Sequence, residues 1–280
     1  METEGTEGAL FFFNKRALTR EKFPEKPIRV LFITSIRDVV IEEFNGQFVN
    51  LNGENHYVKG CIEKTLEETQ KGGSLEGLID IAGIIVDDTE MELNGKFPLL
   101  PKNNKDWIYP KNLLPVNCVW NIPSLFRKLP KDDIKGRERA KYDFELSIFE
   151  KALSVEADVI ILDGYMARLE HLQSMMKGKV INIHPAPTII DMPYCFRGKD
   201  EVNDAIRFAE KNGGTGKTGA TLHFVNSELD DGKPIAYICD TFVSQNDTEI
   251  ELLCRNYTQA KLPIFIAGLR HFVLKIFPYL

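Results

Sequence analysis

Five short apolar runs leave this chain few folds to choose from. Arg29–Ser35, Leu78–Val86, Val116–Trp120, Ala157–Leu162 and Val180–His184 are rich in β-branched residues and mostly lack polar–apolar alternation. Strands of that kind are covered on both faces, as in parallel sheets. Helical spacing separates them. Val58, Cys61, Ile62, Thr65 and Leu66 mark a helix over His56–Lys71 that stops at Gly72-Gly73, and a second covers roughly Arg137–Leu153. The alternation predicts an α/β fold: a mostly parallel, Rossmann-like sheet with helices on both faces. Further on come a helix over Asp200–Asn212, strands over Ala220–Asn226 and Ile235–Val243, and a long helix or helix pair interrupted at Pro263. Residues 1–27 read as an N-terminal arm that covers a sheet edge, and 28–280 as one domain.

Charge and cysteine usage exclude several classes of function. The formal net charge of -6 gives nucleic acid and anionic membrane nothing to hold. Five cysteines, odd in number and never spaced Cys-x-x-Cys, fit reduced thiols in the cytoplasm, not disulfides or zinc. No apolar run is long enough to span a bilayer. Asp87–Glu92 lacks the spacing of a calcium loop and reads as a solvated strand exit. Gly213–Thr218 resembles part of a phosphate-binding loop, but Lys211 stands where a glycine is needed, and a helix precedes where a strand should. It reads as a flexible helix-to-strand loop.

Chemistry gathers around Val180–His184. Alternation puts Asn182 and His184 on one face of that strand, about 7 Å apart. An amide can donate to a developing oxyanion, and an imidazole can move a proton near neutral pH. By itself a histidine at a strand end is an ordinary core residue. Downstream, however, Thr221 and His223 share a strand face and lead into Asn226–Gly232, whose acidic pair can reach back across a crevice. The exit of the first strand, Thr34–Asp38, also points at a ligand crevice, and Ser35 and Arg37 lie on it.

Four pieces in order, Asp163–Met166, Asn182–Pro185, Gly219–Val225 and Leu229–Gly232, resemble the folate-dependent formyltransferases. That superfamily includes glycinamide ribonucleotide transformylase, formyltetrahydrofolate deformylase and the catalytic domain of methionyl-tRNA formyltransferase. The resemblance implies that residues 28–280 form the catalytic domain and that Asn182, His184 and Asp230 are the catalytic trio. It implies N10-formyltetrahydrofolate as formyl donor, with the pterin against Leu162, Gly164, Tyr165, Met166 and Leu169 and against Leu229. His223 supports the site from behind or packs, and Asp231 faces solvent or caps the turn.

Departures from the family pattern bear on the acceptor. Purine-pathway members hold the substrate phosphate on a Gly-Ser-Asn loop after the first strand, where this chain has Thr34–Asp38. Without the glycine the backbone wraps a phosphate less closely. A methionyl-tRNA enzyme would need an appended RNA-binding domain, and a deformylase a small regulatory one. The long first half looks more like the formyltransferases that modify hydroxylated ornithine for siderophores. The alternatives are a glycinamide ribonucleotide or amino-sugar formyltransferase, a formyltetrahydrofolate deformylase and a non-catalytic folate-binding protein. Arg37 and Arg197 are candidates to grip an acidic group of the acceptor.

Overall fold

The computed structural model describes residues 11–12, 22–34, 47–87, 106–109, 112–115, 119–165, 168–189, 194–198, 200–228 and 230–280. In chain order the strands are β1 (Phe11–Phe12), β2 (Ile28–Thr34), β3 (Gln47–Leu51), β4 (Glu54–Val58), β5 (Ile79–Val86) and β6 (Asp106–Tyr109). They continue with β7 (Asn112–Pro115), β8 (Val119–Asn121), β9 (Val159–Asp163), β10 (Val180–His184), β11 (Thr215–Phe224) and β12 (Pro234–Ser244). The helices are α1 (Cys61–Glu68), α2 (Ile134–Ser154), α3 (Leu172–Met175), α4 (Glu201–Lys211), α5 (Glu249–Asn256) and α6 (Leu262–His271).

Eight strands form one mixed sheet in the order β1-β12-β11-β10-β9-β2-β5-β8. From β10 to β8 every pairing is parallel, whereas β11, β12 and β1 add an antiparallel edge. The Rossmann-like expectation therefore holds only in part. Both faces are covered. Phe32, Ile161 and Leu222 pack with α1 and α6 through Ile62, Phe265 and Leu269 on one side. Leu31, Ile160 and Leu162 pack with α2 and α3 through Phe144, Ile148 and Leu172 on the other. The parallel strands reverse direction of succession between β2 and β9, the place where α/β sheets open a crevice at their C-terminal ends.

Several expectations are corrected. The helix expected from His56 starts at Cys61, because Glu54–Val58 is a strand of the β3–β4 hairpin. Asn52 and Gly53 turn it with φ of 54° and 88°, an Asn-Gly signal that outranks helical spacing. Asp87 is buried against Arg127 at 3.0 Å instead of solvated. The loop expected over Gly213–Thr218 is strand from Thr215 onward, paired with β12. Pro263 does not interrupt the closing helix. It lies inside a continuous helical run, just after the π turn Tyr257–Lys261. π turns at Tyr257–Lys261 and Phe272–Ile276 flank α6 and keep the helix continuous. Most of residues 88–118 lies outside the described residues.

One buried cap ties α2 to the segment beyond β9. Glu145 is fully buried, and its carboxylate accepts from the backbone N–H groups of Glu170, His171 and Leu172 at 3.0, 2.6 and 2.7 Å. His171 is the N-cap of α3 and Leu172 its first residue, so two of these N–H groups are ones a helix leaves without intrahelical partners. We expect Glu145→Ala to cost about 3 kcal/mol in urea unfolding. The exposed Glu138→Ala should cost under about 0.5 kcal/mol. Equal midpoints for the two variants would contradict the cap.

Candidate active site

Asn182 and His184 stand on one face of β10, and antiparallel β11 pairs with it so that His223 lies opposite Asn182 and Thr221 opposite His184. The loop after β11 folds back and brings Asp230 among them. Asp230 has φ of 52°, in the left-handed region. Gly232 runs so close to Phe224 that a Cβ there would lie 1.4 Å from the Phe224 carbonyl oxygen. The loop can take this path only with glycine at that point.

The Asp230 carboxylate is buried and surrounded. Its Oδ2 accepts from the Gly198 N–H at 3.1 Å and lies 3.6 Å from Nδ1 of His184. Its Oδ1 meets Nδ2 of Asn182 at 3.4 Å and lies 3.7 Å from Nε2 of His223. His184 is buried too, with Nε2 3.0 Å from the Phe196 carbonyl. A carbonyl only accepts, so that nitrogen carries the hydrogen. Amide, imidazole and carboxylate, expected from separate parts of the chain, thus meet in one place.

His223 proves to touch Asn182 directly. Its Nδ1 donates to the Phe224 carbonyl at 2.9 Å, which leaves Nε2 to accept from Nδ2 of Asn182 at 3.1 Å. Burial pushes its pKa down to about 4. A neutral ring with this tautomer holds the Asn182 amide with its NH2 toward Asp230.

Leu162, Tyr165 and Leu169, expected against the pterin, line a cavity of about 40 Å³ together with Asn182, Val225 and Asp230. Gly164, with φ of 67°, makes the turn that brings Tyr165 there. Arg168 and Glu228, also lining the cavity, pair at 2.7 Å on its exposed rim. Met166 and Leu229 lie outside the described residues, as do Ser35 and Arg37. Arg197 is present but engaged. It donates through Nε and Nη2 to the Thr188 carbonyl at 3.1 and 2.8 Å and through Nη1 to Asp231 at 2.5 Å. The arginine binds this segment to the loop after β11 through Asp231, which faces solvent as expected. The Gly198 N–H and Phe196 carbonyl escaped the sequence reading because backbone groups leave no side-chain signature. Among the described residues no His/Cys/Asp/Glu cluster could hold a metal, and no helix is long and apolar enough to cross a membrane.

The depressed pKa of His223 has a measurable sign. The unfolded chain takes up this proton near pH 6.5, whereas the folded chain refuses it until about pH 4. This histidine therefore lowers stability as pH falls through that interval and has no effect above it. We expect urea midpoints of the wild type to drop between pH 6.5 and 4 more steeply than those of His223→Gln. Parallel curves would show that the ring is not held neutral.

Known proteins resemble this chain in sequence and in fold. The structure of PvdF of pyoverdin biosynthesis, an N10-formyltetrahydrofolate-dependent formyltransferase, matches with a TM-score of 0.70 at 26% identity, over 86% of this chain and 97% of that one. A phosphoribosylglycinamide formyltransferase from Bacillus halodurans shares the fold with a TM-score of 0.55 at 18% identity, over 88% of this chain and 96% of that one. By sequence, the phosphoribosylglycinamide formyltransferase of Schizosaccharomyces pombe is 35% identical over 118 residues, 40% of this chain and 53% of that protein. The chain spans about half the length of the curated relatives it matches first. Residues 124–264, half of the chain, match the family model described as formyl transferase, and they contain β9, β10, β11 and the Asp230 loop. The chain belongs to the formyl transferase family.

Proposed function

We propose that this chain transfers a formyl group from N10-formyltetrahydrofolate to the nitrogen of a small-molecule acceptor, and that the acceptor is a hydroxylated amine such as N5-hydroxyornithine in siderophore synthesis. The observation that carries the reaction is the Asp230 carboxylate held between His184 and Asn182. The likeness to PvdF, a pyoverdin-biosynthesis enzyme covered almost end to end, supports the acceptor. Four described cysteines, Cys61, Cys195, Cys239 and Cys254, are free thiols, in keeping with a cytoplasmic protein.

The donor supplies the formyl carbon, and the residues do the rest. Nδ2 of Asn182 donates to the oxygen on which negative charge develops, giving up its long 3.4 Å contact with Asp230. His223 keeps that amide from turning its oxygen forward. Asp230 accepts the proton lost by the attacking nitrogen, directly or through a water, and His184 returns a proton toward the departing folate nitrogen. One ring nitrogen of His184 meets the Phe196 carbonyl and the other faces Asp230. Leu162, Leu169 and Val225 offer apolar walls to a flat heterocycle, with Asn182 and Asp230 at its polar edge. The cavity of about 40 Å³ admits such a ring only when side chains on its rim part, and the Arg168–Glu228 pair stands there.

His184→Ala and Asp230→Asn should each lower kcat/KM about 100-fold to 10,000-fold with unchanged circular dichroism. A variant that turns over like the wild type removes its residue from the mechanism. Formyl transfer to a panel of hydroxyornithine, glycinamide ribonucleotide, amino-sugar nucleotides and water tests the acceptor. Inert hydroxyornithine beside another active acceptor overturns the siderophore assignment.

A further inference from the structure

The closing helix buries three polar side chains that the reaction as described does not use. Asn256 ends α5, and Tyr257 and Lys261 begin and end the π turn that follows; all three are at most 2% exposed. A lysine is almost never so buried unless it is paired. Nζ of Lys261 donates to Oδ1 of Asp163 at 2.8 Å and to the Tyr257 hydroxyl at 2.6 Å. Asp163 is itself buried and is the last residue of β9. Burial opposes the charge on Lys261, yet Asp163 and then Tyr257 outweigh it and hold the ammonium well above its usual pKa.

Asn256 reaches the neighbouring strand end. Its Nδ2 donates to the Pro185 carbonyl at 2.7 Å and to the Gly219 carbonyl at 2.8 Å. Pro185 follows His184 directly, and Gly219 lies at the β11–β12 irregularity. Asp163 leads through the Gly164 turn to Tyr165 in the cavity. The last residue of α5 and the five-residue π turn after it thus grip the exits of both strands that serve the site. π turns concentrate at functional places because they re-aim side chains that a regular helix would direct elsewhere.

We propose that Lys261 and Asn256 are positioning residues: Lys261, through Asp163, sets the turn that presents Tyr165 to the donor, and Asn256, through the Pro185 carbonyl, sets how His184 meets Asp230. The ligand in this assignment rests on the reading under Proposed function; the side-chain alignment does not.

The test separates alignment from mere stability. Lys261→Met strands a buried carboxylate and should lower Tm by about 10 °C. The double variant Asp163→Asn/Lys261→Met removes both charges and should regain most of that loss. If the pair aligns the donor turn, the double variant still binds a dideazafolate about tenfold more weakly than the wild type. Wild-type affinity in the double variant shows a structural pair and overturns the Lys261 assignment. If the double variant does not fold, Tyr257→Phe decides, with weaker binding expected and unchanged binding overturning it. Asn256→Ala should lower kcat about tenfold while dideazafolate affinity stays within about twofold. It should also move the ring 15N signals of His184 in the ligand-free protein. An unmoved His184 signal overturns the Asn256 assignment. A wild type that binds no dideazafolate rejects the folate reading alone; the His184 signal then decides for Asn256, and the ring signals of Tyr165 in the double variant, expected to move, decide for Lys261.

Discussion

A buried negative charge is the constraint on which this structure turns. A carboxylate withdrawn from water costs several kcal/mol unless its surroundings compensate. Around Asp230 the compensation comes from Asn182 and His184 on β10 and from the Gly198 backbone, while His223 on β11 orients the Asn182 amide among them. Each can serve only if the others are in place. The antiparallel register of β10 and β11, the left-handed backbone at Asp230 and the close pass of Gly232 beneath Phe224 all follow from bringing those groups to one point.

Much of this was legible in the chain. Non-alternating β-branched runs marked the parallel strands, and β10 begins and ends where Val180–His184 placed it. The trio converges because it lies in motifs with a fixed order. What was misread depends on partners far away in sequence. Asp87 looked solvated because its neighbours are acidic, but Arg127 stands 40 positions on. Nothing in the sequence near Lys261 announces its partner Asp163, 98 residues earlier. Arg197 reads as available to a ligand because its carboxylate partner, Asp231, comes from another loop. The β3–β4 hairpin differs: Asn52-Gly53 marks its turn locally, while the helical spacing of α1 carries back into the strand before it.

Division of labour follows the two faces of the sheet. Leu162, Asn182 and His223 look toward the side of α2 and α3, where the cavity lies. Asp163 looks the other way, into the side packed by α1 and the closing helix. One face therefore holds the chemistry and the other holds the strand ends still. Rigid support behind a reacting group is what keeps its geometry within the narrow tolerance that proton transfer requires.

Because β11 runs against β10, its last residue, Phe224, lies beside Ile181, well back from the His184 end. The hairpin connection must travel forward over the face before it can return to Pro234 opposite His223. Its span is tethered at both feet, so its reach is set by its residue count. One residue more or fewer would displace the acid by about 3 Å, a full hydrogen-bond length. Drift in length is thus barred from this short connection, while side chains along it that face water can vary.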